Sequence, residues 1–205
     1  MARRADIDGR QLILDAALKL FADEGVEGVS IRAVNREAGL GPASVHYHFG
    51  TKEGLLDEVL LVHGGDVRAA IAERARAVQA AGPSADARDL VMMYADPYLE
   101  LMAAHPRTGV QWVRLISRLT QTDPDRISER TTTRLTQEAA AAVYPDAESD
   151  VVARAIRMCF QLLVSQLAQA GSGRRGRAGL DVDLLVEFLS GGVDAALRGG
   201  APKSA

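Results

Sequence analysis

Tyr47 stands between His46 and His48, with Ser44 just upstream and Arg32 and Lys52 on either side. In a chain of 205 residues, these are the side chains whose types and spacing suit contact with a polyanion. Serine hydrogen-bonds base edges, alanine or proline can touch a thymine methyl, and Tyr, His and Lys reach sugar and phosphate. Arg32 can serve either a phosphate or a guanine edge. A metal centre at His46 and His48 fails on geometry. Residues two apart on a helix point about 200° away from each other, and metal pairs use i, i+3 or i+4 spacing. No cysteine or carboxylate cluster completes such a site, so neither metal nor cofactor is expected.

The elements that must position these residues follow from local signals. Ser30 is a good N-cap, Ile31, Val34 and Ala38 recur on one face, and Gly39 supplies the backbone freedom to stop the helix. Pro42 is read as the first residue of a second short helix ending near Phe49-Gly50. Thr51 caps a third, carrying Leu55, Leu56 and Val59. Val45 and Phe49 should pack inward, while Ala43, Ser44 and Tyr47 face out. This is a helix-turn-helix suited to the major groove. Lys52 and the N–H groups after Thr51 form a helix N-terminus attractive to phosphate. Upstream, Asp8 with Gln11 suggests a capped start for a bracing helix whose core stripe is Leu12, Ile13, Ala16, Ala17, Leu20 and Phe21.

The run from Ile13 to Leu60, with its Phe21 and Gly25, Ser30-led helix, Ala38-Gly39, Tyr47-His48-Phe49 and Thr51-Lys52-Glu53 before Leu55, resembles the N-terminal DNA-binding domain of tetracycline-repressor (TetR) family transcriptional regulators. The resemblance implies an all-α protein: a three-helix helix-turn-helix DNA-binding domain over residues 1–53 and a helical effector-binding and dimerisation domain over 54–205. It implies a homodimer on a palindromic operator in double-stranded DNA, with Arg32, Pro42, Ala43, Ser44 and His46 facing bases and Tyr47, His48 and Lys52 holding phosphates, beside the Ser30 cap. A small apolar or amphipathic effector would release a repressor of this kind. An activator of the same fold, and a helical scaffold without specific DNA binding, are the alternatives. Gly41 and His46 stand where the family often has a Ser or Thr cap and a Tyr, which bears on the operator sequence rather than the fold.

Composition sets bounds on this reading. Net charge is −3, and residues 1–65 also sum to −3, from seven Arg and Lys against ten Asp and Glu. Any DNA-attracting surface must therefore be local rather than a broad basic field. Arg3 and Arg4 are expected in a flexible tail able to touch backbone. No G-x-S-x-G elbow, P-loop, dinucleotide fingerprint or H-E-x-x-H occurs, so no enzyme chemistry is indicated. Cys159 is the single cysteine, which rules out an intrachain disulfide and suits a buried thiol in a reducing compartment. No apolar leader and no stretch approaching a membrane span is read, so a cytoplasmic location is expected.

Beyond Thr51 the pattern stays helical, punctuated at Gly64-Gly65, Gly82-Pro83, His105-Pro106, Asp123-Pro124 and Tyr144-Pro145. Five further helices are counted after the one that Thr51 starts. Met92, Met93, Tyr94, Tyr98 and Met102 on one helix, with Gln111, Trp112, Leu115 and Ile116 on the next and Phe160 beyond, either line an effector cavity or fill ordinary core. Gln111 and Arg114 are its candidate polar contacts. The last two helices are apolar round much of their girth. Val152, Ile156, Cys159, Leu163 and Leu167, with Leu185, Phe188, Leu189, Gly192 and Val193, are expected to build a four-helix dimer interface, the alternative being burial within one subunit. The Gly and Arg run at residues 172–179 is read as a solvated connection.

Overall fold

The computed structural model describes residues 2–127, 130–170 and 180–199, with side chains for 8–127, 132–170 and 180–199. Among them every regular element is helical. The order is α1 (Ala2–Glu24), α2 (Ile31–Glu37), α3 (Ser44–Phe49), α4 (Lys52–Ala81), α5 (Ala87–Ala104), α6 (Thr108–Thr122), the single turn α7 (Pro124–Ile127), α8 (Arg130–Val143), α9 (Ser149–Ala170) and α10 (Val182–Gly199). A short 3-10 turn, Gly82–Ser84, links α4 to α5. The five long helices after α4 match the sequence reading, with α7 added.

Helices α1 to α3 pack on one another and on the start of α4 through Ile13, Leu14, Phe21, Val34, Val45 and Leu55, all without solvent exposure. Fully burying side chains of this size stabilises by about 1.5–3 kcal/mol each. The body then follows from capped, amphipathic helices. Asp86 caps α5 by accepting from the Arg88 and Asp89 N–H groups at 2.7 and 3.1 Å, while Asp89 accepts from the Asp86 N–H at 2.9 Å, a reciprocal capping box. Tyr144 donates to Asp194 at 2.6 Å, tying α10 back to the end of α8.

Several sequence expectations change here. Asp8 and Gln11 lie inside α1 rather than at its start, because the helix already runs from Ala2. Arg3 and Arg4 therefore fall in the first turns of a helix, and their side chains lie outside the described residues. Gly64 and Gly65 do not divide α4, which continues unbroken for 30 residues. Gly64 serves close packing instead: a β-carbon there would sit 2.4 Å from Trp112 Cζ2, so α6 can approach only because the side chain is missing. Helix α9 is, by length and composition alone, apolar enough to cross a membrane, contrary to the sequence expectation. Its apolar residues pack on α6, α8 and α10. The run at 172–179 lies outside the described residues.

Candidate nucleic-acid interface and effector cavity

Ser30 caps α2 as expected, its Oγ accepting from the Ala33 N–H at 3.2 Å. Gly39, at φ 68°, turns the chain out of that helix in the left-handed region that favours glycine. Pro42, expected to begin the next helix, instead lies in the turn. The helix begins at Ser44 and has no side-chain cap of its own. Asn35 replaces it. This residue, 2% exposed, donates from Nδ2 to the Pro42 carbonyl at 2.8 Å and accepts the Val45 N–H at 3.1 Å. One side-chain amide thus satisfies both the connecting turn and an orphan donor at the start of α3, fixing the angle between the two helices. The sequence reading missed Asn35. The available signal was a poor helix former inside a short helix, seven residues before a proline.

With Val45 anchored in the core, the rest of α3 turns outward. Tyr47 is 76% exposed, and Arg32, Pro42, Ala43 and His46 are exposed beside it, with Ser44 half-buried. The Tyr47 ring offers an apolar face and a hydroxyl to a partner surface. His46 donates from Nδ1 to the Gly50 carbonyl at 2.7 Å, which holds the imidazole against the end of its own helix. His48 is half-buried, edge-on to the Tyr47 ring with centroids 4.9 Å apart. The structure therefore leaves Arg32, Pro42, Ala43, His46 and Tyr47 open to solvent, while His48 lies partly against the neighbouring helix near Gly9.

Lys52 differs. Its ammonium donates to the Val26 and Val29 carbonyls at 3.0 and 3.4 Å, pinning the α1–α2 connection to the start of α4. The carbonyls of that connection hold the ammonium, so a phosphate would have to share it with them. Thr51 caps α4 by accepting from the Gly54 N–H at 3.0 Å. Hydrogen bonds from its own backbone and from Thr51 hold the Glu53 carboxyl below the usual carboxylate range. The headpiece also carries the Arg10–Glu58 and Lys19–Glu37 ion pairs, which neutralise two of its few cations.

Two connected cavities open in the body, of about 620 and 410 Å³. They meet at Arg68, Tyr98, Ile127, Thr132 and Phe160. Among the predicted ligand residues, Tyr94, Tyr98, Trp112, Ile116 and Phe160 line this space. Met92, Met93, Met102, Gln111 and Leu115 do not. Met93 and Leu115 are sealed in the core, and the other three are partly buried without lining either cavity. Arg114 is likewise drawn elsewhere, pairing with Asp23 at 3.4 Å. The sequence reading missed the contribution of α4, chiefly Leu60, Gly64, Val67 and Arg68, and the threonines of α8. Burial pushes the Tyr94 and Tyr98 hydroxyls well above their ordinary range, so both stay protonated.

The expected dimer residues also separate. Val152, Ile156, Cys159, Leu163, Leu167, Leu189 and Val193 are buried within the single chain, because those faces of α9 and α10 pack on α5, α6 and α8. Leu185 is half-buried, whereas Phe188 and Gly192 are exposed. The open apolar side of the two helices is made instead by Met158 and Leu162 on α9 and Leu184 and Phe188 on α10. Burial pushes the Cys159 thiol up to about 12, as suits an inert structural cysteine.

A three-helix headpiece presenting an open helix, set on a helical body with two open cavities, defines the class: a helix-turn-helix protein. Residues 13–59 match the profile of bacterial regulatory proteins of the tetR family. Over 47 residues the chain is 43% identical to the HTH-type transcriptional regulator BetI of Rhizobium meliloti, a match covering 23% of each chain. It is 37% identical over 51 residues to the HTH-type transcriptional repressor KstR2 of Rhodococcus jostii, covering 25% of each. The matched segment thus spans about a quarter of the length of these relatives. Over nearly its whole length the chain shares the fold of a TetR-like transcriptional regulator from Rhodococcus sp. RHA1, with a TM-score of 0.63, 16% identity, and 93% of this chain and 96% of the other covered. The headpiece thus matches the tetR family profile, and the chain as a whole shares the fold of that TetR-like structure.

Proposed function

We propose that the chain is a ligand-responsive transcription regulator, a repressor that binds a palindromic operator as a homodimer and leaves it when an apolar or amphipathic effector enters the body. The observation that carries this reading is the open Tyr47 surface of α3, held at a fixed angle by Asn35. In this reading Arg32, Pro42, Ala43, Ser44 and His46 face bases, and Tyr47 and His48 hold phosphates with help from Lys52. The headpiece ends near residue 53, in the first turn of α4, and residues 54–205 form the effector and dimerisation unit. Action on the chromosome places the protein in the cytoplasm. The relatives it matches are named as regulators and repressors, and no enzymatic role is assigned.

Dimerisation is supported by the open side of α9 and α10. Met158, Leu162, Leu184 and Phe188 are 61%, 45%, 65% and 71% exposed on two helices that pack together, and apolar side chains gathered at the surface in this way suit an interface. Two copies related by a two-fold axis bury them as four helices. A β-carbon at Gly191 or Gly192 would meet open space, leaving room for a partner backbone. Recognition helices in such a dimer must lie about 34 Å apart to enter successive major grooves. An effector that changes this spacing shifts the population away from the DNA-competent state.

Selecting bound sites from a random DNA pool, followed by a gel shift on the recovered site, tests the reading. A palindromic consensus bound specifically at moderate salt is the expected result. Recovery of no consensus refutes it.

A further inference from the structure

The cavity wall holds one hydrogen-bond donor that the folded chain leaves without an acceptor, and beside it a cation held by a single carbonyl. Trp112 is 3% exposed, and its indole N–H has no hydrogen-bond partner. Arg68, half-buried where the two cavities meet, makes one hydrogen bond, from Nη1 to the Leu60 carbonyl at 2.8 Å, and among the described residues enters no ion pair. Gly64 brings the two together. The point where its β-carbon would stand lies 2.4 Å from Trp112 Cζ2, on the indole edge that bears the N–H, and 2.9 Å from Arg68 Nη1. Three arginines and two aspartates line the combined space. Of these, Arg126 is paired with Asp57 at 3.4 Å, and Asp125 and Arg157 are exposed. Arg68 is therefore the cation left over on the inner wall.

We propose that this cavity takes an amphipathic monocarboxylate, its carboxylate on Arg68 and the Trp112 N–H and its hydrocarbon body against Tyr98, Ile116 and Phe160. The proposal rests on the effector-binding reading of the body and adds the chemical class. A cationic ligand would meet an uncompensated guanidinium, and a purely apolar one would leave the indole N–H without an acceptor. A planar carboxylate satisfies the arginine fork and accepts the indole N–H on its remaining lone pairs. Each cavity, of about 620 and 410 Å³, lies within the size range of small-molecule sites, about 300–1,000 Å³.

Trp112 is the only tryptophan in the chain, so its fluorescence reports on the site directly. The full-length protein is titrated below micelle concentrations with decanoate, decanol and decyltrimethylammonium at pH 7.5. Decanoate is expected to bind about tenfold to a hundredfold more tightly than decanol, as a charge-assisted hydrogen bond implies, and the cation more weakly than either. Arg68→Gln removes the preference for decanoate, whereas Arg68→Lys keeps the charge and retains part of it. Trp112→Phe, followed by calorimetry, weakens decanoate but not decanol and tests the site independently of Arg68. Equal binding of decanoate and decanol, an unchanged preference in Arg68→Gln, or no binding of any probe overturns the proposal. These readouts need no DNA: failure here leaves operator recognition untouched, and a chain that binds decanoate but no operator loses the regulator reading alone.

Discussion

Replacing Asn35 by alanine should loosen the recognition helix without touching any residue that faces DNA. The substitution removes two hydrogen bonds, to the Pro42 carbonyl at 2.8 Å and from the Val45 N–H at 3.1 Å. Each such bond contributes about 1 kcal/mol net, and a buried donor left unsatisfied costs about 1–3 kcal/mol. Val45 is fully buried, so water cannot readily take over its N–H. Against this, alanine is the better helix former by about half a kcal/mol. The balance is a loss of about 2 kcal/mol, which in a chain of this size lowers the melting temperature by about 4–8 °C. Thermal unfolding followed by circular dichroism measures the total, and hydrogen exchange at the Val45 amide localises it, with protection reduced by about an order of magnitude or more. Asn35→Asp keeps the acceptor for Val45 but sets a buried carboxylate against the Pro42 carbonyl, and should lose at least as much. If Asn35→Ala melted within 1 °C of the parent with Val45 equally protected, Asn35 would not be what sets the angle of α3.

Tyr47→Ala should weaken binding to all DNA sequences and flatten the salt dependence, whereas Ser44→Ala should change preference at one base position; gel shifts at several salt concentrations and repeated site selection check both. Phe188→Glu should convert the dimer to a monomer in sedimentation while leaving the fold intact by circular dichroism. Gly64→Ala places a methyl 2.4 Å from Trp112 Cζ2, so stability should fall by about 1–3 kcal/mol through overpacking, read as a shifted urea midpoint together with changed Trp112 fluorescence. Burial at the α1–α4 contact lowers the His63 pKa, with Asp15 opposing. The unfolded chain therefore binds the proton more readily, and stability present above pH 6.5 should decline as pH falls through 6.5 towards the folded-state value. A His63→Gln chain should lack this component of the slope in urea titrations from pH 7.5 to 5.

What could be read from the sequence divides along physical lines. Caps and breakers act over a few residues, so Ser30, Gly39 and Thr51 gave away the headpiece before any contact was known. The apolar periodicity of α6 likewise placed Trp112 and Ile116 on one inward face. Long-range partners were not legible. Nothing local says that Lys52 will meet the Val26 and Val29 carbonyls, or that Asn35 will reach across a turn to Val45. The dimer stripe failed for another reason: α9 is apolar on two faces, and periodicity cannot say which of them the rest of the chain covers. Cys159 and Leu163 belong to the covered face, Met158 and Leu162 to the open one, one residue or about 100° away.

Helix α6 links the cavity to the headpiece. Trp112 and Ile116 face the ligand space. On the same helix, Arg118 donates from Nε to the Ala22 carbonyl at 3.0 Å and from Nη2 to the Asp23 carbonyl at 2.9 Å. Those are terminal carbonyls of α1, where helix geometry leaves acceptors unpaired and favours a cation. From Trp112 to Arg118 the rise is about 9 Å, short enough for the helix to move as a rigid unit. Helix α4 provides the second connection, with Lys52 fastened to the α1–α2 turn at one end and Gly64 and Arg68 at the cavity. On the proposed effector reading, a ligand that wedges α4 from α6 at Gly64 would strain both attachments of the headpiece at once. Because Arg118 holds only main-chain carbonyls of α1, Arg118→Met should leave ligand affinity and DNA affinity nearly intact while reducing the effect of one on the other. Linkage requires that reduction to be equal in both directions. A double titration of DNA and ligand that found full coupling in Arg118→Met would place the transmission in α4 alone.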